Sequence, residues 1–185
     1  MKLFGRRKNA NSVDSELPPQ PKGAPLPESV RLSIPQDQRG GPYEELEDGR
    51  FIIVGRNIIM ISNEHKVVDS GFWHEVQYAS WDASTHTFRL VWSQPDRDPV
   101  IGRTITRNPK DLMEKITHRV DDTIVATRRF VTSGGASVAA TVRRRVDGEL
   151  FSAVISSGPI SDEDEKKAYR LEADLREELG MGEAD

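Results

Sequence analysis

Five arginines, Arg128, Arg129, Arg143, Arg144 and Arg145, fall on two neighbouring stretches of strand-like sequence. A guanidinium is a permanent cation whose planar fork of N–H donors matches phosphate and carboxylate oxygens, so such a group is suited to holding an anion. In the run from Val138 to Val146 the apolar positions are 138, 140, 142 and 146, which puts Arg143 and Arg145 on the opposite face. Arg128 is expected beside them across the ladder. Like charges held this close destabilise unless something negative is near. That something is the acidic C-terminal segment of the same chain, a nucleic-acid backbone or lipid headgroup, or an anionic partner protein. Arg128, Arg143 and Arg145 are therefore the candidate anion or partner site. A second basic group, Lys2, Arg6, Arg7 and Lys8 beside Leu3 and Phe4, is a candidate membrane tip worth about 1 kcal/mol per basic residue on an anionic surface.

Other residue types with chemical potential lack the spacing that chemistry needs. His74, Glu75, Asp82 and His86 invite a metal or acid–base reading. His74 and Glu75 are adjacent, however, and point to opposite faces if they lie on a strand, while His86 falls in a turn beyond Trp81. His65 and His118 stand apart. Ser133 and the Ser156-Ser157 pair have no glycine-flanked nucleophile turn and no placeable base. Ser133-Gly134-Gly135 lacks the helix and lysine that follow a phosphate-cradling loop. No catalytic residue, metal, cofactor or small-molecule substrate is expected. Aromatics interleaved with basic groups can stack bases, but Phe88, Leu90 and Trp92 alternate toward one face, as a core requires. Trp73 is the aromatic expected to be partly exposed.

Composition narrows the field further. Hydrophobic residues make up 36% and charged residues 30% of 185 positions, no apolar run approaches the roughly 20 residues that cross a bilayer, and no apolar stretch follows the basic start as a secretory signal would need. A cytoplasmic protein, free or peripheral on the inner membrane face, is expected. The lack of cysteine removes disulfides, thiolate metal sites and cysteine nucleophiles. The net charge of −4 is unevenly spread, being 0 over residues 1–50, +2 over 51–160 and −6 over 161–185. A middle segment so weakly basic gives thin support to nucleic-acid binding.

These residues must be positioned by short strands and two helices. Pro18-Pro19-Gln20-Pro21 and Pro25-Leu26-Pro27 break helices, so residues 1–42 read as a disordered tail, with Val30 to Ile34 as a short edge strand or docking segment. Phe51 to Val54 and Ile58 to Ile61 form a hairpin about Gly55-Arg56-Asn57. Lys66 to Val68, Trp73 to Trp81, Phe88 to Trp92 and Val100 to Ile105 continue the strands, with Asp82 bonding the turn that follows it. Asn108 caps a helix entered at Pro109, whose Leu112, Met113, Ile116 and Val120 make one apolar face. Strands at 124–131, 138–146 and 149–156 follow. Ser161 caps a last helix, whose Ala168, Leu171, Leu175 and Leu179 form a narrow stripe ended by Gly180.

The run of short antiparallel strands, with Trp73 and Val76 leading into a strand and an amphipathic helix closing the chain, resembles a pleckstrin-homology-like split barrel. Trp73-His74-Glu75-Val76, Trp81-Asp82 and the hairpin from Val142-Arg143-Arg144 to Phe151 resemble a set of small actinobacterial cytoplasmic proteins with no assigned activity. The resemblance covers residues 43–180. It implies an α+β fold with a bent antiparallel sheet or split barrel, an internal helix and a C-terminal helix. The helix at Pro109 to Val120 departs from the barrel pattern by interrupting its strands. The expected organisation is a tail at 1–42, one α+β domain at 43–180 and a disordered end at 181–185. The expected function is that of a non-enzymatic interaction module for a protein partner or an anionic surface; the alternative is a nucleic-acid-associated protein that uses the arginine hairpin.

Overall fold

The computed structural model describes residues 25–63 and 66–182. Within them the chain is α+β, with three helices and three antiparallel sheets and no closed barrel. Strands β1 (Tyr43–Glu45), β2 (Phe51–Val54), β3 (Ile58–Ser62) and β4 (Val67–Phe72) pair in sequence order as the first sheet. Strands β5 (Val76–Asp82), β6 (Thr87–Trp92) and β7 (Val100–Arg103) form the second. Strands β8 (Ile124–Val131), β9 (Ser137–Arg144) and β10 (Leu150–Ser156) form the third, with β9 central. Helix α2 (Lys110–Asp121) links the second sheet to the third, and α3 (Asp162–Glu178) closes the chain.

Four consecutive apolar residues in β2 require cover on both faces of the first sheet. On one face Ile52, Val54, Ile59 and Ile61 meet Trp73, Phe88, Leu90, Trp92 and the α2 residues Leu112, Ile116 and Val120 in the largest core. On the other face Phe51, Ile53 and Met60 pack with Val30 and Ile34. These last two belong to helix α1 (Glu28–Ser33) and its C-cap, where Pro27 and Pro35 delimit a single amphipathic turn. The expected tail boundary at residue 42 is thus corrected: residues 28–38 are structured, and Val30 to Ile34 is a helical segment, not a strand. Gln38 fastens it by accepting from the Asn57 N–H at 2.8 Å. Residues 1–24, which hold Lys2, Arg6, Arg7 and Lys8, lie outside the described residues.

The first two sheets join at their edges through the Leu46–Thr104 bridge. There the buried Glu44 carboxylate accepts from the Thr106 N–H and hydroxyl at 3.0 and 2.7 Å. Strand β7 ends at Arg103, two residues earlier than the alternation implies, because Ile105 N–H turns to Glu45 O. In β6 the inward set is as expected, with Phe88 and Leu90 at 0% exposure and Trp92 at 2%. Asp82 accepts from the Ser84 and Thr85 N–H groups in the β5–β6 turn. Pro109, not Asn108, occupies the N-cap of α2 and no side chain caps it; burying Leu112, Ile116 and Val120, at roughly 1.5–3 kcal/mol each, holds this helix instead.

The third sheet has its own core on one face only, where Ala140 and Val142 meet Leu175 of α3, flanked by Leu171 and Leu179. Ser161 caps α3 by accepting from the Asp164 N–H, and Gly180 ends the helix at a φ of 66°.

Gly71 in β4 marks a close approach of the first two sheets, since a Cβ there would stand 2.4 Å from Cζ3 of Trp92. Trp92 is buried, and the Arg97 guanidinium covers its ring at 3.6 Å, so the ring cannot withdraw. Gly71→Ala is expected to destabilise by about 1–3 kcal/mol, read as a lower urea midpoint. Gly134→Ala, whose new Cβ would meet nothing nearer than Thr132 Oγ1 at 3.8 Å, should stay within about 0.5 kcal/mol. Equal midpoints for the two variants would rule out the packing argument.

Candidate anion-binding site

Strand register sorts the arginines of the third sheet onto different faces. Arg128 pairs with Ala140 and therefore lies on the α3 side, where its Nη2 meets Glu178 Oε1 at 2.5 Å. Arg129 pairs with Ala139 and takes the other face. Arg143 pairs with Phe151, and Arg145, in the turn after β9, sets its guanidinium 5.2 Å from the Phe151 ring while meeting Glu149 at 3.4 Å. Arg143 and Arg145 do share the side opposite the apolar positions. The expected place of Arg128 beside them is corrected, because the bulge between Ile124 and Ala126 sets the register that turns it toward the acidic helix.

Arg143 is buried, at 4% exposure. Its guanidinium donates to the main-chain oxygens of Val76 at 2.5 Å, His74 at 3.2 Å and Gln77 at 3.5 Å. These carbonyls lie where a 3-10 turn, Trp73–Glu75, runs into β5. Burial lowers the Arg143 pKa from its ordinary value, opposed by Asp121. The side chain thus fastens the third sheet to the second and is not available to a partner.

The 3-10 turn changes the geometry at 73–75 from the strand the spacing suggested. Glu75 Oε2 accepts from the Phe72 N–H at 2.8 Å, and the turn rolls Trp73 inward to 4% exposure, correcting the expectation that it is partly exposed. His74 stacks on Phe72 at 5.4 Å and meets Phe151 edge-on at 5.7 Å. His86 stacks on Trp81 at 6.1 Å. Among the described residues no three His, Asp or Glu side chains cluster as a metal would require.

Fastened in this way, the β9–β10 turn faces the β2–β3 turn and the end of α2 across a cavity of about 220 Å³. Arg56, Arg119, Arg144 and Arg145 line it, together with Asn57, Trp73, His74, Thr123 and one acidic residue, Asp122. Arg145 has its partner in Glu149, but no described carboxylate pairs with Arg56, Arg119 or Arg144. Two N–H donors of the lining residues, Arg119 Nε and Trp73 Nε1, are buried without an acceptor among the described residues. A buried donor left unmet costs about 1–3 kcal/mol. Four arginine residues thus border one small space, each carrying a fork of N–H donors of the kind that suits an oxyanion.

Sequence reasoning found Arg145 of this group and missed Arg56, Arg119 and Arg144 as a set. Arg56 sits in a hairpin turn and Arg119 beside the apolar stripe of α2, and neither position signals that the two turns meet. Comparison with known proteins found no matching family model, no matching curated protein and no matching solved structure. Among the described residues no helix is long and apolar enough to cross a membrane.

Arg143→Ala leaves three main-chain oxygens without their donor and is expected to destabilise by about 2–4 kcal/mol in urea titration, with Arg143→Lys recovering only part. Arg145→Ala, which loses an exposed pair, should change stability by no more than about 1 kcal/mol. Comparable losses for Arg143→Ala and Arg145→Ala would contradict the fastening role.

His74 gives a pH-dependent check. Burial lowers its pKa from 6.5, with Glu75 and Asp147 raising it and Arg145 and Arg143 lowering it further. A histidine with a depressed folded pKa binds its proton more readily when unfolded, so its contribution is present above pH 6.5 and is lost as pH falls through the folded pKa. His74→Gln should flatten the fall in unfolding free energy over that window. An unchanged pH profile in this variant would show that His74 does not titrate in this way.

Proposed function

We propose that the chain is a non-enzymatic interaction module that engages an anionic group of its partner in the cavity bounded by Arg56, Arg119, Arg144 and Arg145. One observation carries this reading: Arg56, Arg119 and Arg144 border the same small space and have no described carboxylate partner. Here Arg144 and Arg145 are held by the hairpin that Arg143 fastens, Arg119 by α2 and Arg56 by the β2–β3 turn, so the basic residues are pre-organised for an acceptor. The charged lining residues are four arginines and one acid, Asp122, which is exposed. Such a site suits a phosphoryl or carboxylate group.

The pleckstrin-homology-like relation belongs to the same proposal. It is supported by seven consecutive strands that pair only with their neighbours in two joined sheets, and by a closing helix packed on a sheet. The intervening α2 and the separate third sheet are additions to that plan. Association with the inner membrane face through Lys2, Arg6, Arg7 and Lys8 is a further element of the proposal, independent of the cavity.

Inorganic pyrophosphate tests the cavity directly. At about 100 times its Kd it should stabilise the protein by about 2.7 kcal/mol, read as a rise in Tm at constant ionic strength. Arg56→Glu combined with Arg144→Glu should keep the fold and remove the rise. No pyrophosphate-dependent shift in the unsubstituted chain, or the same shift in the double variant, would overturn the reading.

A further inference from the structure

The arginine cavity shares a wall with a larger one. His74, Arg145 and Val146 line both, and the second cavity, of about 750 Å³, continues past them to Phe72 and Phe151. Its size falls within the roughly 300–1,000 Å³ of small-molecule sites, whereas the arginine cavity fits only a compact group. The wall between them is aromatic and cationic together, with His74 stacked on Phe72, edge-on to Phe151, and the Arg145 guanidinium over the Phe151 ring. Phe72 remains 42% exposed at the end of β4, where strand alternation turns it outward.

The balance of polar groups differs between the two cavities. The smaller has four arginines against one acid, Asp122, while the larger has one arginine, Arg145, and adds Glu75, Gln94 and Asp147, where Glu75 and Asp147 each keep one carboxylate oxygen beyond the one that accepts a backbone N–H. A ligand that fills both carries an anionic group at one end and, at the other, a flat ring whose rim donates hydrogen bonds. An acyl chain does not suit a cavity edged by two carboxylates. A nucleobase does, because its face stacks on aromatic and guanidinium planes and its exocyclic amine donates to a carboxylate or amide oxygen.

Resting on the reading of the arginine cavity as an anion site, we infer that this ligand is a nucleoside 5′-phosphate group, with its phosphoryl among Arg56, Arg119 and Arg144 and its base against Phe72 and Phe151. Arg145 lies at the junction, where one guanidinium serves both ends. The same chemistry is presented by a free mononucleotide and by the 5′-phosphorylated end of a single strand.

Calorimetric titration of the full chain with orthophosphate, ribose 5-phosphate, the four nucleoside 5′-monophosphates, and a short oligonucleotide with either a 5′-phosphate or a 5′-hydroxyl tests this. At least one mononucleotide, or the 5′-phosphorylated strand, is expected to bind about tenfold or more tightly than ribose 5-phosphate. Phe151→Leu should bring that affinity down to the ribose 5-phosphate level. Phe72→Ala, at an exposed position that does not threaten the fold, should do so in part, and Arg144→Glu should abolish binding of every phosphate compound. Tight mononucleotide binding identifies the free nucleotide as the source, and binding by the 5′-phosphorylated strand alone identifies the strand end. If ribose 5-phosphate binds as well as any nucleotide, or if the 5′-hydroxyl strand binds as well as the phosphorylated one, the inference fails while the anion site stands. If no phosphate compound binds, both fail.

Discussion

The arrangement depends on one buried cation. Arg143 brings a guanidinium into a space with 4% exposure and satisfies it with main-chain oxygens of residues 74, 76 and 77. Burying a charge is costly unless each of its donors is met, so the third sheet can sit against the second in few ways. A hydrophobic contact would tolerate sliding; a planar fork aimed at particular carbonyls does not. The β9–β10 turn follows directly from that side chain, and the positions of Arg144 and Arg145 follow from the turn. Arg144 N–H meets Thr123 O, and Arg145 N–H meets Glu149 O, each at 2.8 Å, which completes the attachment at the end of α2.

The third sheet also separates charges by face. On one side α3 brings Glu178 to Arg128 and sets Lys167 4.3 Å from the Phe130 ring. The acidic helix thus neutralises its own face of the sheet and reaches no arginine of the cavity by a described ion pair. Had the register of β8 been one residue different, Arg129 would have met the helix in place of Arg128. The bulge near Ile124 therefore has an electrostatic consequence as well as a steric one.

Much of the fold was legible because local periodicities survive in it. The alternation of Phe88, Leu90 and Trp92, the spacing of Leu112, Ile116 and Val120, and the cap at Ser161 each depend on neighbours in sequence. What escaped depended on distant partners. Proline-rich flanks made residues 28–38 look structureless, yet Phe51 to Val54 is apolar at every position and so needs a cover on both sides; that run was the available signal for α1. Trp73 was misplaced because a 3-10 turn, stabilised by Glu75 reaching back to the Phe72 N–H, reads in sequence like the start of a strand.

The candidate site was harder to read for the same reason. Its arginines come from the β2–β3 turn, the end of α2 and the β9–β10 turn, and no periodicity within one element relates them. Clustering in sequence drew notice to Arg128 and Arg143, but a strand sends neighbouring side chains to opposite faces, and a buried arginine spends its donors on the fold. Arg143, with its donors spent on main-chain oxygens, therefore positions Arg144 and Arg145 through the turn that follows it. Any ligand of the cavity bears directly on three chain segments far apart in sequence, so its affinity should depend on the tertiary packing at Arg143 as much as on the arginines it touches.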